Sequence, residues 1–328
     1  MWDVVTLGET MLRLTPQYHA RLEQARTLDA EVGGSESNTS VGLARLGLKT
    51  AWVSRLTRNS LGKKVAREIA SHGVDVSQVI WTDNDRIGLY FLEEGRAPRG
   101  SSVIYDRAGS AMSRMTPEEL PAELFSGRPG LFHLTGITLA IGPDARQTAE
   151  SAAQAAKRAG WKLSFDLNFR SRLWNGEQAC AACSPLCALA DVIFAPLPDV
   201  RVLFGAEAAT KPESAVSFLR KSFPNAAVIV TAGPNGTFAQ GPGTELIHQR
   251  CFPADDVGRL GAGDAFSAGF LFSYFFHERN RRDLSSSVLW GNAGAALKLS
   301  IPGDMPLFTR AEIELVIETH GAGIRLAR

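Results

Sequence analysis

The segment GRLGAGDAF, residues 258–266, places small residues and a carboxylate directly before an apolar run. Gly261, Ala262 and Gly263 leave the backbone open, and their N–H groups would form an anion site at the first turn of a helix. Asp264 beside such a site suits a general base that takes a proton from a hydroxyl attacking a phosphoryl group. An N-cap aspartate after a glycine-rich turn is the alternative, and the segment alone favours neither.

The composition is ordinary for a globular protein and argues against several classes of partner. The 328 residues are 45% hydrophobic and 21% charged, and the net charge of +1 favours neither nucleic acid nor an anionic membrane. No apolar run reaches the ~18 residues of a membrane span. The N-terminal segment is typical of a strand and not of a signal peptide. Together with only four cysteines, this predicts a cytoplasmic, reducing location.

Three cysteines cluster in CAACSPLC as Cys180, Cys183 and Cys187. Their spacings of three and four put them on one helical face. A metal site would need a fourth ligand, and no histidine or further cysteine lies close in the sequence. We therefore interpret the cluster as the buried face of a helix.

Short β-branched runs alternate with helical patterns along most of the chain. DVVTLG, KTAWVSRL and AAVIVTAG predict strands, and ESNTSVGLARLGL and LGKKVAREIASHG predict helices. This alternation is typical of βαβ units on a mainly parallel sheet, which binds ligands at the carboxyl ends of its strands. The nucleotide motifs GxxxxGKS/T and GxGxxG are absent, so GAGDAF needs its own explanation.

Two stretches interrupt this alternation with short strands and no helix. In the second, LYFLEE and SSVIYDR predict a hairpin across a turn rich in glycine and proline. We predict that residues 11–33 and 86–108 form a small β lid. The α/β domain then comprises residues 1–10, 34–85 and 109–328.

Four segments in order resemble the signatures of the ribokinase-like (PfkB-type) carbohydrate kinases: GGSESNTSVGLARLG, VTAGPNG, GAGDAFSAGF and GNAGAALKLSIPGDMP. The resemblance spans nearly the whole chain and implies a three-layer αβα sandwich with a mainly parallel sheet and a small β lid. It also implies that ATP and Mg²⁺ are used and that Asp264 is the catalytic base. The nucleotide-binding residues implied in the same way are Thr231, Gly233, Gly236 and Asn292.

Within the family, the sugar-pocket residues are most similar to those of 2-keto-3-deoxygluconate kinases. The residues that this resemblance places in the pocket are Gly34, Asn38, Tyr90, Tyr105, Arg107 and Arg170. Arginine is the usual partner of a carboxylate, so these arginines suit a sugar acid. Arg13 stands in GETMLR, where members acting on neutral sugars usually carry an aspartate, and its charge also favours an anionic substrate.

Each pocket residue has a structural alternative. Tyr90 and Tyr105 could be a cross-strand packing pair, and Arg107 a solvated lid charge. Arg170 could cap the carbonyls of the next helical turn, and Asn38 could be a polar helix residue without contact to a sugar.

Two departures from the family pattern concern the phosphate end. Pro196 and Asp199 in PLPD replace an asparagine and a glutamate, which leaves Asp199 as a weak metal contact through water. Asp166, at the end of a strand, is expected to orient the loop of Arg170 or a water beside the phosphates. Gly258 replaces an aspartate that in many relatives helps to bind K⁺.

We therefore do not expect a diffusible monovalent cation, and the residue after Gly258 provides a hypothesis. Arg259 would take the place of the cation, either by bridging to the carbonyls of residues 300–303 or by reaching a nucleotide phosphate. A solvent-facing arginine is the alternative.

The sequence thus predicts an ATP-dependent kinase that phosphorylates the primary hydroxyl of a sugar acid, with 2-keto-3-deoxygluconate expected. A fructokinase or ribokinase type of enzyme for a neutral sugar, and a sugar-binding regulatory protein with little turnover, are the alternatives. The lid hairpin has unpaired edges and apolar residues such as Leu89, Phe91 and Val103, which predicts a homodimer or larger homo-oligomer through the lid.

Overall fold

The computed structural model describes residues 1–205, 207–279 and 281–320. Its strands are β1 Val4–Leu7, β2 Met11–Pro16, β3 Leu28–Gly33, β4 Thr50–Thr57, β5 Val79–Thr82, β6 Leu89–Glu93, β7 Ser102–Asp106, β8 Leu131–Thr135, β9 Lys162–Asp166, β10 Val192–Phe194, β11 Ala227–Thr231, β12 Thr237–Gln240 and β13 Ile247–Gln249. Its helices are α1 Ser35–Arg45, α2 Ser60–Ser71, α3 Gly136–Ala140, α4 Pro143–Arg158, α5 Gly176–Leu189, α6 Leu197–Phe204, α7 Pro212–Ser222, α8 Ala262–Leu271, α9 Leu284–Leu299 and α10 Arg310–Glu318.

The large sheet has nine strands in the order β13-β12-β11-β10-β9-β8-β1-β4-β5. The strands from β11 to β5 pair in parallel, and β12 and β13 add an antiparallel edge. Central strands such as β1 and β8 are buried along their whole length, as expected for a parallel sheet covered on both faces. The predicted α/β fold with a mainly parallel sheet is confirmed.

Successive residues of the central strands belong to different hydrophobic clusters. Val5 packs in the cluster that contains Ala149 of α4 and Cys183 of α5. Its neighbour Val4 packs in the cluster that contains Ala268 of α8. Because side chains alternate between the two faces of a strand, these clusters are the two interfaces of an αβα sandwich.

The small sheet has four strands in the order β3-β2-β6-β7 and consists of the two stretches predicted as a lid. β6 and β7 form the predicted hairpin, with Tyr90 opposite Tyr105. β2 pairs in parallel with β6 of this hairpin, and β3 pairs with the other edge of β2 in antiparallel orientation. The domain boundaries stay a prediction, and residues 321–328 of the predicted α/β domain lie outside the described residues.

The cysteine segment lies on α5, where Cys183 and Cys187 are fully buried in the core. Burial raises the pKa of both thiols well above the usual range. This agrees with a packing role. No helix within the described ranges has the length and apolar character needed to cross a membrane.

Candidate active site

The anion turn, residues 258–263, includes the first two residues of α8, Ala262 and Gly263. Gly261 is the N-cap residue and has a φ of 82°, in the left-handed region that favours glycine. A Cβ at Gly261 would also lie 1.9 Å from the carbonyl oxygen of Asp304, so the loop after α9 packs directly against the turn. A Cβ at Gly263 would meet open space. The N–H of Ala262 donates to the Arg259 carbonyl at 3.3 Å, and the open space beside Gly263 leaves the first turn of α8 accessible to a ligand.

Asp264 lies in the first turn of α8, but its carboxylate does not cap that helix. Oδ1 accepts a hydrogen bond from Ser35 Oγ at 2.6 Å, and Oδ2 accepts one from Asn38 Nδ2 at 2.8 Å. Both donors belong to α1. The geometry therefore disfavours the N-cap alternative, and we call these three residues the Asp264 site.

Burial raises the pKa of Asp264 to about 6, against the effects of its hydrogen bonds to Ser35 and Asn38 and of the nearby Arg170. The two donors are neutral, so they fix the carboxylate without cancelling its charge. A carboxylate whose pKa lies close to the working pH is well matched to general base catalysis.

A buried acid, Glu36, fixes the start of α1. Glu36 Oε1 accepts hydrogen bonds from Thr135 Oγ1 at 2.8 Å and from Thr138 Oγ1 at 2.6 Å. Burial raises the pKa of Glu36 to about 7. A Cβ at Gly8 would lie 2.3 Å from this carboxyl group, which explains the glycine there. Glu36 thus anchors the turn of α1 that carries Ser35 and Asn38.

The loop after β9 brings further polar groups to the same end of the sheet. Asp166 Oδ1 accepts from the Asn168 N–H at 3.1 Å, and Asp199 Oδ2 accepts from the Phe169 N–H at 2.8 Å. Asn168 Nδ2 donates to Ser35 Oγ at 2.8 Å, which connects this loop to the Asp264 site. The expectation that Asp166 orients the loop of Arg170 agrees with this geometry.

Arg170 is exposed, and its Nη1 donates to the carbonyl of the neighbouring Phe169 at 2.9 Å. Its guanidinium lies close enough to Asp264, Asp166 and Asp199 to lower the pKa of each. Burial acts more strongly and raises all three: Asp199 to about 6 and Asp166 well above its usual range. Arg170 is thus a cation at the rim of an acidic centre, free on its exposed side.

Arg13 does not face an open pocket. It is buried and donates to the carboxylate of Asp304, with Glu31 as a second ion-pair partner. The hydroxyl of Tyr90 donates to the same Asp304 carboxylate. These four residues, the lid cluster, connect the small sheet to the loop after α9. The inference that Arg13 favours an anionic substrate is therefore wrong, because protein carboxylates already neutralise its charge.

Arg107 is also paired within the protein. Its Nε donates to Glu9 Oε2 at 2.8 Å, and only 9% of the Arg107 side chain and 3% of the Glu9 side chain are exposed. Arg107 is thus not a solvated lid charge. Tyr90 and Tyr105 are cross-strand neighbours with ring centroids 6.0 Å apart, so the packing alternative describes their contact, while Tyr105 remains 37% exposed.

Gly34, the N-cap residue of α1, lies against the loop after β1. A Cβ there would lie 2.3 Å from the carbonyl oxygen of Glu9. This close approach requires a glycine and brings the start of α1 next to the Glu9–Arg107 pair.

The nucleotide residues expected at the end of β11 lie in one turn. Gly233 and Gly236 both have positive φ, 56° and 88°. A Cβ at Gly233 would meet nothing within 4 Å, whereas one at Gly236 would lie 2.3 Å from the carbonyl oxygen of Gln249. Gly233 thus leaves the surface beside Thr231 open, and Gly236 serves the close approach of the neighbouring loop.

Asn292 on α9 is buried, and protein groups already bind both ends of its amide. Its Oδ1 accepts from Thr237 Oγ1 at 2.8 Å, and its Nδ2 donates to the Arg250 carbonyl at 3.2 Å. These bonds fasten α9 to the antiparallel edge of the sheet. Its role towards a nucleotide stays a prediction.

Arg259 does not bridge to the carbonyls of residues 300–303, so that part of the cation hypothesis is wrong. Its side chain is 83% exposed and pairs with Asp256 at 2.8 Å. Lys298 reaches one of those carbonyls, because its Nζ donates to the carbonyl oxygen of Ile301, and it donates to the carbonyl oxygen of Gly258 as well. Contact of Arg259 with a phosphate stays a prediction.

Pro196 is the N-cap residue of α6, and Asp199 lies in the first turn of that helix. In the part of the chain that the structure describes, no group of three or more histidine, cysteine, aspartate or glutamate side chains could hold a metal ion.

The residues that sequence reasoning missed belong to two kinds. Ser35 and Asn168 adjoin predicted site residues at a helix start and a strand end, so their positions alone could have indicated them. Glu9 and Asp304 bind partners 98 and 291 residues away, for which no local pattern exists.

Comparison with known proteins identifies the family. Residues 1–309 match the pfkB family of carbohydrate kinases. The chain is 38% identical over 322 residues to the 2-dehydro-3-deoxygalactonokinase of Haloferax volcanii, with 98% of each chain covered. The chain therefore belongs to the pfkB family of carbohydrate kinases, as its signatures predicted.

Two further relatives agree with this assignment. The 2-dehydro-3-deoxygluconokinase of Bacillus subtilis is 29% identical, and the match covers 92% of this chain and 91% of that one. The crystal structure of 2-dehydro-3-deoxygluconokinase from Thermotoga maritima superimposes with a TM-score of 0.85 at 30% identity. That match covers 96% of this chain and 98% of the other.

Proposed function

We propose that this protein is an ATP-dependent kinase that phosphorylates the primary hydroxyl of a 2-keto-3-deoxy sugar acid. The observation that carries the proposal is Asp264, a half-buried carboxylate with a pKa of about 6 beside the open first turn of α8. The names of the relatives from Haloferax volcanii, Bacillus subtilis and Thermotoga maritima support the substrate class.

Asp264 accepts the proton of the sugar hydroxyl as its oxygen attacks the γ-phosphorus. A new P–O bond forms, and the bond to the β-phosphate oxygen breaks, which releases ADP and the phosphorylated sugar acid. The N–H groups of Gly261, Ala262 and Gly263 stabilise the negative charge on the transferred group. Ser35 and Asn38 hold the base in position by their hydrogen bonds.

Arg170 is the best candidate to bind the substrate carboxylate, because its guanidinium is exposed beside Asp264. Arg107 is a weaker candidate, since Glu9 already neutralises it. The turn with Thr231 and Gly233 would hold the phosphates of ATP through backbone groups.

The carboxylates of Asp166 and Asp199 fit a Mg²⁺ ion held through water. Asp166 is buried and Asp199 half-buried, and repulsion from Asp199 contributes to the raised pKa of Asp166. A cation bound beside them would stabilise the ionised form of both carboxyl groups. Bound with ATP, Mg²⁺ would neutralise charge on the β- and γ-phosphates.

The test is ADP formation by the purified protein with a panel of sugars: 2-keto-3-deoxygluconate, 2-keto-3-deoxygalactonate, fructose and ribose. We expect kcat/KM for at least one of the two acids to exceed that for either neutral sugar. The two acids differ at one hydroxyl-bearing carbon, and their ratio defines which epimer the pocket accepts. A preference for fructose or ribose would overturn the proposal.

A kinase of a neutral sugar is the second candidate. Its support is that Arg13 and Arg107 are paired with Asp304 and Glu9, so the lid side of the site adds little net positive charge. The same panel decides between the two candidates.

We also propose that the protein forms a homo-oligomer through the small sheet. β7 is an edge strand, and Ile104 on it is 54% exposed beside Tyr105. Exposed edge strands with apolar side chains favour pairing with another chain. Light scattering at micromolar concentration should give at least twice the mass of one chain, and a monomer would contradict this.

A further inference from the structure

Lys298 is a fully buried lysine in the last turn of α9, with 0% of its surface exposed. Its Nζ donates to the carbonyl oxygen of Ile301 at 2.9 Å and to that of Gly258 at 3.1 Å. A buried ammonium is costly unless it is bound by oxygen ligands. The position of Lys298 therefore needs a reason that simple packing does not supply.

The two carbonyls belong to separate segments that meet at the anion turn. Val257 and Gly258 donate their N–H groups to the Leu299 carbonyl at 2.8 and 3.2 Å, which lays the two segments side by side. A Cβ at Gly258 would lie 3.1 Å from the Ile301 oxygen. Two carbonyl dipoles that converge in this way repel each other unless a cation lies between them.

Both segments fix Gly261. One of them leads from Gly258 into Gly261 within three residues, and the other leads from Ile301 to Asp304, whose carbonyl oxygen packs directly against Gly261. Whatever holds these segments together therefore sets the direction of the N–H groups at the start of α8. Lys298 is the side chain that contacts both.

We propose that Lys298 is a built-in cation that positions the anion turn, so that this protein needs no diffusible monovalent cation for phosphoryl transfer. Lys298 acts through Gly258 and Ile301 and is a positioning residue. The role that the sequence suggested for Arg259 falls to Lys298.

The surrounding charges support an ammonium at this place. Burial lowers the pKa of Lys298, as does the nearby Arg13, and the carboxylates of Asp304, Asp264 and Asp256 act in the opposite direction. Asp304 also binds Arg13 and Tyr90 of the lid cluster. Asp304, which packs against Gly261, thus connects the surroundings of Lys298 to the lid cluster.

The kinetic part of the test rests on the proposed phosphotransfer. ADP formation is measured with the better sugar acid in K⁺, Na⁺ and tetramethylammonium at equal ionic strength. We expect the kcat of the wild-type protein to agree within about twofold in the three salts. A several-fold stimulation by K⁺ would overturn the proposal even if no variant could be made.

Two variants of Lys298 distinguish the effect of its charge from the effect of the volume of its side chain. Lys298→Ala leaves room for a cation, so kcat in tetramethylammonium should fall at least ~10-fold through misplacement of the amide donors. K⁺ should restore several-fold of that loss, with KM for the sugar acid nearly constant. Lys298→Met fills the space without charge, so it should lose activity and gain nothing from K⁺. Rescue of both variants, or of neither, would contradict the inference.

Lys221 provides the matched control, because it is an exposed lysine in the last turn of α7. Lys221→Met should leave kcat and its salt dependence unchanged. Thermal unfolding gives a second readout that needs no substrate: K⁺ should raise the Tm of Lys298→Ala but not that of the wild-type protein. If no sugar is phosphorylated, the proposed function fails, and this Tm comparison still decides the role of Lys298.

Discussion

The Asp264 site and the lid cluster each hold a carboxylate, half-buried at Asp264 and buried at Asp304, but they bind it with different partners. Asp264 receives hydrogen bonds from the neutral side chains of Ser35 and Asn38. Asp304 is bound by the guanidinium of Arg13 and by the hydroxyl of Tyr90. Neutral donors orient a carboxylate and leave its charge available, whereas an arginine neutralises it.

This difference matches two different roles, proton transfer for Asp264 and structural support of the lid for Asp304. A carboxylate that must accept a proton has to remain an uncompensated base, and burial with a pKa of about 6 provides that at Asp264. A carboxylate that joins a lid to its domain is better neutralised, since a buried unpaired charge would be costly. The predictions below test the two assignments against each other.

The largest effect should follow from Asp264→Asn. The amide keeps the shape and can still bond to Ser35 and Asn38, but it cannot accept the hydroxyl proton. We expect kcat to fall ~10²–10⁴-fold, the usual contribution of a general base. The measurement is ADP formation alongside thermal unfolding, with Asp83→Asn, an exposed aspartate, as control. A kcat within tenfold of the wild type at unchanged Tm would refute the assignment.

A substitution in the lid cluster should lower the free energy of unfolding. Arg13→Met removes one partner of a buried ion pair and leaves the Asp304 charge uncompensated, which costs about 3–5 kcal/mol. Urea denaturation measures this loss in the free energy of unfolding. Arg310→Met, which breaks an exposed pair with Glu314, should cost no more than about 0.5 kcal/mol. Equal losses in the two variants would show that the lid cluster is not structural.

The two arginines proposed near the substrate should also differ in their effect on KM, because Arg107 is paired with a carboxylate and Arg170, among the residues that the structure describes, is not. Arg170→Ala removes a free cation, so KM for the sugar acid should rise about 10–150-fold, the value of one charge-assisted contact of roughly 1.5–3 kcal/mol. Arg107→Ala should raise it less, since Glu9 already takes up the charge of Arg107. Steady-state kinetics measures KM for each variant. Arg172→Ala is the control, because it removes the same charge from a neighbouring position and should leave KM for the sugar acid unchanged. A larger effect at Arg107 would reverse the assignment.

Much of this architecture was predictable from the sequence, because local patterns encode it. Alternating strand and helix patterns predicted the parallel sheet, and the glycines of GAGDAF predicted the open first turn of α8. Tyr90 and Tyr105 were predicted on a hairpin, where they face each other.

The ion-pair partners could not be predicted in this way. Asp304 and Arg13 are 291 residues apart in the sequence, and Glu9 and Arg107 are 98 residues apart. The sequence shows that an arginine is present but not whether a carboxylate neutralises it. Arg13 was misinterpreted for this reason. Arg259 was considered because it is adjacent to Gly258, whereas Lys298, which contacts the Gly258 carbonyl, lies 40 residues away in the sequence.

The most direct test of the central claim is the pH dependence of kcat/KM. Asp264 must be ionised to accept a proton, so the wild-type profile should fall on the acid side with a pKa of about 6. The hydrogen bond from Asn38 stabilises the ionised form, and Asn38→Ala should therefore move this limb to higher pH by roughly one unit. Asn225→Ala, at an exposed site, should leave the limb in place. A limb that Asn38→Ala leaves unmoved, or moves to lower pH, would show that Asp264 is not the base.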